Sequence, residues 1–193
     1  MDGLETLLAM ARTGFVKRSP LTRDALAFAA ASHEGQTREL DDAPFVTHPV
    51  EVACLLHEAG YSDEVVAAGV LHDVLEDTDA ERGDLEQRFG PEVAGLVAAV
   101  SDDPSITGDA ERKAALRAQV AQAGEQAVAV FAADKVSKAR ELRIRTGHGR
   151  FERKDEVKIE HYEASREMLE ELMPQNELLA RLRDELEALH ALP

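Results

Sequence analysis

The stretch VVAAGVLHDVL, residues 65–75, decides how this sequence folds. His72 and Asp73 are its only ionisable residues, so the corresponding helix is apolar on nearly every side and belongs in a protein core. Burying an ionised carboxylate without a partner is costly, so Asp73 needs a cation, hydrogen bonds or a proton. A bound metal ion would meet this need directly.

The composition predicts an all-α fold. Ala, Leu, Glu and Arg dominate the 193 residues, aromatic residues make up only 4%, and no alternating strand pattern is present. Capping residues, glycines and prolines predict helices over about 22–33, 49–59, 62–77, 84–89, 91–100, 109–121, 125–144, 152–172 and 175–190. We expect one domain at 1–145 and a C-terminal helical extension at 146–193 that packs on the same domain.

Charge and composition exclude several classes of protein. The net charge of −16 opposes nonspecific binding to nucleic acid or to an anionic membrane. No stretch approaches the roughly 20 apolar residues of a membrane span, and the start MDGLETLLAM lacks the basic residues of a secretory signal. The cytoplasm is therefore the expected compartment. Cys54 is the only cysteine, which excludes an intrachain disulfide and a cysteine-based zinc cluster. A homo-oligomer is compatible with the sequence.

One segment is basic, although the chain as a whole is acidic. Residues 135–158 contain nine Lys and Arg against four Asp and Glu, whereas residues 1–134 contain 10 against 25. A basic segment directly after a candidate metal ligand could attract a small polyanion. A solvated helix face explains it equally well.

Two distant residues repeat the anomaly of the His72-Asp73 pair. Asp134 follows seven consecutive apolar residues, AVAVFAA, which predicts a carboxylate at the inner edge of the core. Pro49 suits the first position of a helix, which leaves His48 where Ser, Thr or Asp is the usual cap. Both are candidate metal ligands.

Two more carboxylates follow the pair on the same predicted helix. Glu76 and Asp77 lie at i+4 from His72 and Asp73, on neighbouring parts of one helix surface. Two imidazoles and two carboxylates form a mixed nitrogen and oxygen set that suits Mn²⁺, Fe²⁺ or Zn²⁺. Taken singly, a buried His-Asp pair is more often a satisfied core pair, and a lone Asp an ion-pair or capping residue. Four such residues together favour a metal site.

Five motifs in order carry a resemblance to a known family: ASHEGQTR at 31–38, PFVTHP at 44–49, GVLHDVLEDT at 69–78, FGPEVAGLV at 89–97 and AADKVSKAR at 132–140. They resemble the HD-domain hydrolases of the RelA/SpoT group, in particular the stand-alone small alarmone hydrolases. The resemblance spans about residues 20–145.

The resemblance implies an HD-domain helical bundle and a specific reaction. In that family the matching residues bind Mn²⁺, which assigns the metal to His48, His72, Asp73 and Asp134. The implied reaction is hydrolysis of guanosine 3′,5′-bis(diphosphate), or of the pentaphosphate, to GDP or GTP and pyrophosphate. Glu76 and Asp77 match the family's catalytic pair, and Arg38 matches an arginine expected to contact the nucleotide.

The sequence departs from the family pattern where the substrate is recognised. In TRELDDAPF, the loop after Arg38 is altered and apparently one residue longer, and Phe45 replaces a tyrosine. Lys138 replaces an asparagine expected to contact the sugar, and we assign it to a phosphate contact instead. These changes keep open another phosphorylated nucleotide or cofactor as substrate.

A non-catalytic nucleotide-binding module is the third alternative. The complete set of six candidate metal and catalytic residues argues against it, because a degenerate sensor has no chemical need for all of them. The other histidines carry weaker signals. His33 is expected to be a packed residue at a helix end, and surface or packing positions are expected for His57, His148, His161 and His190.

Overall fold

The computed structural model describes residues 14–16 and 18–192, and it confirms the all-α prediction. No β-strand occurs among these residues, although one isolated antiparallel bridge joins Thr37 to Pro44. The helices are α1 (Pro20–Ser32), α2 (Thr47–Glu58), α3 (Asp63–Leu71), α4 (Val74–Asp77), α5 (Arg82–Val100), α6 (Asp109–Ala123), α7 (Glu125–Gly147), α8 (Arg153–Leu172) and α9 (Glu177–His190).

Contacts within the chain divide it into two compact units, Met1–Ser101 and Asp102–Pro193. The first unit contains α1–α5 and the second contains α6–α9. The boundary predicted at residue 145 stays a prediction, as does the packing of the 146–193 extension. Among the described helices, none has the length and apolar character needed to cross a membrane. The expectation for the first ten residues lies outside the described part of the chain.

The first unit is built around α3. Every residue from 65 to 74 is buried, and α3 packs against α1, α2 and α5. This confirms the expectation from the apolar run. Gly69 allows the close approach of α2, because a Cβ atom there would clash with Leu56 Cδ1 and lie 3.3 Å from Val52 Cγ1. A side chain at this position would therefore force the buried Leu56 side chain, or α2 itself, to shift.

Two helix starts differ from the sequence prediction. Helix α1 is capped by Ser19 instead of Thr22, whose backbone N–H donates to Ser19 Oγ at 3.2 Å. Pro20 takes the first position of the helix, where its missing N–H and fixed φ are favourable. Helix α2 begins at Thr47, so His48 lies in its first turn and is not its cap. The predicted cap position of His48 is therefore wrong, although the residue is buried.

The helix predicted over 62–77 is interrupted. Helix α3 ends at Leu71, and the short α4 begins at Val74 with Asp73 at its N-cap. The backbone N–H groups of Glu76 and Asp77 donate to the Asp73 carbonyl at 3.2 and 3.0 Å. A second irregularity lies at Gly90, whose φ of 86° kinks α5 before Pro91 and separates the two helical segments predicted there.

The second unit is built around α7. Every residue from 127 to 137 is buried, and α6, α8 and α9 pack against this helix. Gly124, with φ of 98°, precedes the helix, as predicted. Glu185 of α9 accepts hydrogen bonds from Arg140 Nε and Arg143 Nε of α7, both at 2.7 Å. Part of the predicted basic segment thus holds two helices together.

A buried ion pair joins α7 to α8. Arg145 Nη2 donates to Asp155 Oδ1, and neither side chain is appreciably exposed. Asp155 Oδ2 also accepts from the backbone N–H of Glu152 at 2.8 Å, which closes a capping box at the start of α8. One carboxylate therefore fixes both the start of α8 and its position on α7.

Candidate metal centre

Three predicted ligands meet in the core of the first unit. The Nε2 atoms of His48 and His72 lie 3.2 Å apart. Asp73 Oδ2 lies 3.0 Å from His72 Nε2 and 3.4 Å from His48 Nε2. All three side chains are at least 96% buried. The first turn of α2 and the interruption between α3 and α4 therefore bring two imidazoles and a carboxylate to one point.

The tautomer of His72 is set by the main chain. Its Nδ1 lies 2.8 Å from the carbonyl oxygen of Gly69, which can only accept a hydrogen bond. Nδ1 therefore carries the proton of the neutral ring, and the lone pair is on Nε2. Metal-binding histidines commonly donate a hydrogen bond from the ring nitrogen that does not bind the metal, and this bond fixes the orientation of the ring.

The chemistry of these donors fits a divalent metal ion. Neutral imidazole nitrogen and carboxylate oxygen are common ligands of Mn²⁺, Fe²⁺ and Zn²⁺, and His72 Nε2 and Asp73 Oδ2 both present electron pairs to the same small region. A buried carboxylate with two imidazoles is also stabilised when a cation balances its charge. In the alternative, a satisfied core cluster, His48 Nε2 donates a hydrogen bond to His72 Nε2 at 3.2 Å.

The predicted catalytic carboxylates lie just beyond this cluster. Glu76 and Asp77 are both on α4, and both are exposed. The predicted continuous helix is wrong here, because a turn at His72 and Asp73 separates α3 from α4. The argument that Glu76 and Asp77 share a regular helix surface with His72 and Asp73 therefore does not hold. Their catalytic role stays a prediction.

A hydrogen-bonded chain that the sequence reasoning missed supports α4. His33 Nδ1 lies 2.9 Å from Gln36 Oε1, and Gln36 Nε2 donates to the carbonyl oxygen of Asp77 at 2.9 Å. The His33 ring is buried against Phe45, with ring centroids 4.7 Å apart. His33 is thus a packed residue at the end of α1, as expected, but it also connects α1 to α4. Its spacing to Gln36 was the only signal in the sequence.

Arg38 is engaged within its own loop. Its Nε and Nη2 atoms donate to the two carboxylate oxygens of Asp41 at 3.2 and 2.6 Å. The hydrogen bonds from Arg38 lower the pKa of Asp41 below its usual value of 3.8. Asp41 belongs to the segment that departs from the family pattern. The altered loop therefore supplies the partner of the arginine that was predicted to contact the nucleotide.

Asp134, the fourth predicted ligand, belongs to α7 in the second unit. It is buried, as the apolar run before it predicted. Lys135 Nζ lies 2.6 Å from Asp134 Oδ2, and Lys138 Nζ lies 3.0 Å from Oδ1. Burial lowers the pKa of Lys135, and the neighbouring Asp134 carboxylate opposes this effect. Lys138, predicted to bind substrate, is therefore bound to Asp134 one turn earlier on the same helix.

Comparison with known proteins identifies the family. The sequence pattern of the HD domain family matches residues 25–158, which is more than half of the chain. This chain belongs to the HD domain family. Within it, the motifs from ASHEGQTR to AADKVSKAR place the chain in the RelA/SpoT group, as the resemblance predicted.

Curated relatives in this HD-domain group carry a common name. Guanosine-3′,5′-bis(diphosphate) 3′-pyrophosphohydrolase MESH1 of Drosophila melanogaster is 40% identical over 129 residues, which cover 65% of this chain and 72% of the fly protein. The protein of the same name from Homo sapiens is 39% identical over 129 residues, with the same shares covered.

A solved structure has the same HD-domain fold. It is described as a metazoan ortholog of SpoT that hydrolyses ppGpp, and it superposes with a TM-score of 0.75 at 32% sequence identity. The match covers 91% of this chain and 98% of that chain. The likeness therefore extends beyond the five motifs.

One histidine expected at the surface or in packing proves to be a hydrogen-bond partner. His161 of α8 is half-buried, and its Nδ1 lies 2.7 Å from Arg117 Nη1 of α6. Burial, reinforced by Lys135 and Arg117, lowers the pKa of His161 to about 2. The ring is therefore neutral, and it accepts a hydrogen bond from a cation.

Proposed function

We propose that this chain is a metal-dependent phosphohydrolase that converts guanosine 3′,5′-bis(diphosphate) to GDP and pyrophosphate. The corresponding pentaphosphate would give GTP and pyrophosphate. The convergence of His48 Nε2, His72 Nε2 and Asp73 Oδ2 in a buried position carries the proposal. The names of the relatives support this substrate, because they specify the same 3′-pyrophosphohydrolase reaction.

The proposed metal ligands are His48, His72, Asp73 and Asp134, and the proposed ion is Mn²⁺. When bound, a divalent ion polarises phosphoryl oxygens and makes water a better nucleophile near neutral pH. The Gly69 carbonyl holds the His72 ring in the tautomer that such an ion requires. To serve as a ligand, the buried Asp134 carboxylate would share or exchange its contacts with Lys135 and Lys138.

Glu76 and Asp77 take the protons in this proposal. Hydrolysis adds water across the bond between the 3′ oxygen and the adjacent phosphorus, so the attacking water loses a proton and the 3′ oxygen gains one. An exposed carboxylate next to the cluster can accept the first proton and return it to the leaving oxygen. Gln36 holds the backbone of Asp77 while this transfer occurs.

A different phosphorylated nucleotide or cofactor is the second candidate substrate. Two observations favour it, because both proposed substrate contacts already have carboxylate partners: Arg38 is bound to Asp41, and Lys138 to Asp134. A guanosine alarmone would have to compete for these side chains. The cytoplasmic location and the homo-oligomer that the sequence suggested stay predictions.

A product-resolved assay tests the proposed function. Purified full-length protein with Mn²⁺ is incubated separately with guanosine tetraphosphate, other nucleotides and phosphorylated cofactors. The products are then separated and identified by mass spectrometry. We expect GDP and pyrophosphate from guanosine tetraphosphate. His72→Gln should abolish this turnover, whereas His190→Gln, which changes an exposed histidine on α9, should leave it intact. Faster turnover of another phosphorylated compound would establish the second candidate instead.

A further inference from the structure

The connection between α1 and α2 contains a short hairpin that is anchored beside the candidate metal centre. The backbone N–H of Phe45 donates to the carbonyl oxygen of Gln36 at 2.9 Å, which closes the base of the hairpin. The Phe45 ring lies next to the ring of His48, a proposed metal ligand, with centroids 5.9 Å apart. We call residues 36–45 the Arg38 loop.

Asp41 is held in place by the backbone of this loop. Its Oδ1 atom accepts a hydrogen bond from the backbone N–H of Ala43 at 3.2 Å. The residue between them, Asp42, has a left-handed backbone with φ of 56°, which turns the chain at the tip of the loop. The backbone N–H of Arg38 donates to the Ala43 carbonyl at 2.9 Å and joins the two sides of the turn. The Asp41 carboxylate is therefore positioned before any ligand binds.

Arg38 presents one edge of its guanidinium to this carboxylate. Its Nε donates to Asp41 Oδ1 at 3.2 Å and its Nη2 donates to Oδ2 at 2.6 Å, which is the bidentate geometry that also suits phosphate. Within residues 14–16 and 18–192, Asp41 is the only carboxylate paired with Arg38. The Asp41 side chain is 45% exposed, whereas that of Arg38 is 15% exposed. Asp41 therefore covers the part of the guanidinium that a phosphate would use.

The charge of Asp41 makes it a competitor for anions. The hydrogen bonds from Arg38 lower the pKa of Asp41, so its carboxylate is ionised at neutral pH. A terminal phosphate carries about −1.5 to −2 charge at pH 7, which exceeds the single charge of a carboxylate. A phosphate can therefore replace Asp41 at the guanidinium fork, whereas a group with one charge or none gains little by the exchange.

We propose that Asp41 competes with the substrate for Arg38 and thereby selects phosphate over less charged groups. The inference rests on the proposed function, in which Arg38 contacts the nucleotide. Asp41 acts through Arg38 and touches no reacting group. Because each binding event must break the pair between Arg38 and Asp41, the loop lowers substrate affinity and makes phosphate charge a condition of tight binding.

Binding measured without turnover tests this competition. Guanosine tetraphosphate is titrated into full-length protein in EDTA, which prevents metal-dependent hydrolysis, and calorimetry gives the dissociation constant. Asp41→Asn should bind guanosine tetraphosphate about 2–5-fold more tightly than the wild type, as expected for the release of a partly exposed ion pair. The amide oxygen of this variant can still accept from the Ala43 N–H, so the turn is retained.

Asp42→Asn is the matched control. It removes the same charge from the adjacent residue, which is exposed and forms no ion pair within the described part of the chain. Asparagine also tolerates the left-handed backbone at this position. Asp42→Asn should therefore bind guanosine tetraphosphate like the wild type. In an Arg38→Gln background, Asp41→Asn and Asp42→Asn should have equal effects, because no fork remains to be released.

Two further readouts separate competition from a general change in the loop. With Mn²⁺ present, Asp41→Asn should lower the KM for guanosine tetraphosphate and leave kcat near the wild-type value. Guanosine, which has the same base without phosphate, should bind no more tightly to Asp41→Asn than to the wild type. If Asp41→Asn folds poorly, Asp41→Ser also removes the carboxylate and should give the same gain.

Three results would overturn the inference. Weaker binding of guanosine tetraphosphate by Asp41→Asn would mean that Asp41 positions Arg38 for the substrate and does not compete with it. Equal affinities of folded Asp41→Asn and Asp42→Asn would mean that the pair with Arg38 has no effect on binding. Guanosine tetraphosphate binding by none of these proteins would overturn the proposed substrate as well, whereas the first two results overturn the inference alone.

Discussion

At the scale of single residues, the Gly69 carbonyl has an effect that no sequence pattern displays. By accepting the Nδ1 proton of His72, it leaves the Nε2 lone pair of that ring for a metal ion. The same glycine lets α2 approach α3, and α2 carries His48. One residue without a side chain thus influences both histidines of the candidate centre.

Arg38 and Asp41 give a residue-scale prediction with a defined pH dependence. Because the folded-state pKa of Asp41 is lowered, the stabilising effect of this pair is present above the ordinary value of 3.8 and is lost as pH falls through the lowered pKa. Nuclear magnetic resonance of the side-chain carboxyl should show Asp41 titrating below 3.8. No change in this pair is expected between pH 6 and pH 8.

Asp103 provides the internal control for that titration. Hydrogen bonds from Ser105, and not from Arg38, lower its pKa. Arg38→Gln should therefore raise the titration midpoint of Asp41 and leave that of Asp103 in place. Unchanged midpoints for both groups would mean that the Arg38 to Asp41 bond does not form in solution.

At the scale of secondary-structure elements, the close contact between α2 and α3 is open to a direct test. Gly69→Ala would place a methyl group against the buried side chain of Leu56, so we expect the free energy of unfolding to fall by about 1–3 kcal/mol. Urea denaturation monitored by circular dichroism measures this change.

Gly95→Ala is the matched substitution in another helix. A Cβ atom at Gly95 would meet nothing within 4 Å, so this change should raise the free energy of unfolding by about 0.4–1 kcal/mol. Equal effects of the two substitutions would contradict the account of how α2 packs on α3.

The ion pair between α7 and α8 gives a second prediction at this scale. Asp155→Asn leaves the buried Arg145 guanidinium without its carboxylate, which should lower the free energy of unfolding by about 3–5 kcal/mol. Asp184→Asn, at an exposed position on α9, should change it by about 0.5 kcal/mol or less. A loss at Asp155 as small as at Asp184 would show that the pair does not hold α8 to α7.

Sequence reasoning located the helices well where apolar periodicity or glycine and proline punctuation was strong, as at α7 and α9. It failed where a local interaction overrode the pattern. The interruption at His72-Asp73 was missed because the apolar run continues through Val74 and Leu75, with no helix-breaking residue. The start of α1 was predicted too late because Ser19 and Thr22 are both suitable capping residues. Pro20, which suits the first position of a helix, selects Ser19 as the cap.

At the scale of the whole molecule, the sequence predicted the burial of the candidate ligands better than it predicted their surroundings. His72, Asp73 and Asp134 are buried, as their positions in apolar runs predicted, and their role as metal ligands stays a prediction. The ion pairs of Arg38 and Lys138, and the hydrogen bonds through Gln36 and His161, depend on distances between side chains that spacing does not reveal.

Titration of metal-free protein with Mn²⁺, followed by calorimetry, tests the central claim most directly. The wild type should bind with a saturable, tight phase, and Asp73→Asn should weaken that phase by about 100-fold or more because the near-isosteric change removes the carboxylate ligand. Asp79→Asn, which alters an exposed aspartate just beyond α4, should bind like the wild type. Wild-type affinity for Mn²⁺ in a folded Asp73→Asn protein would contradict the account.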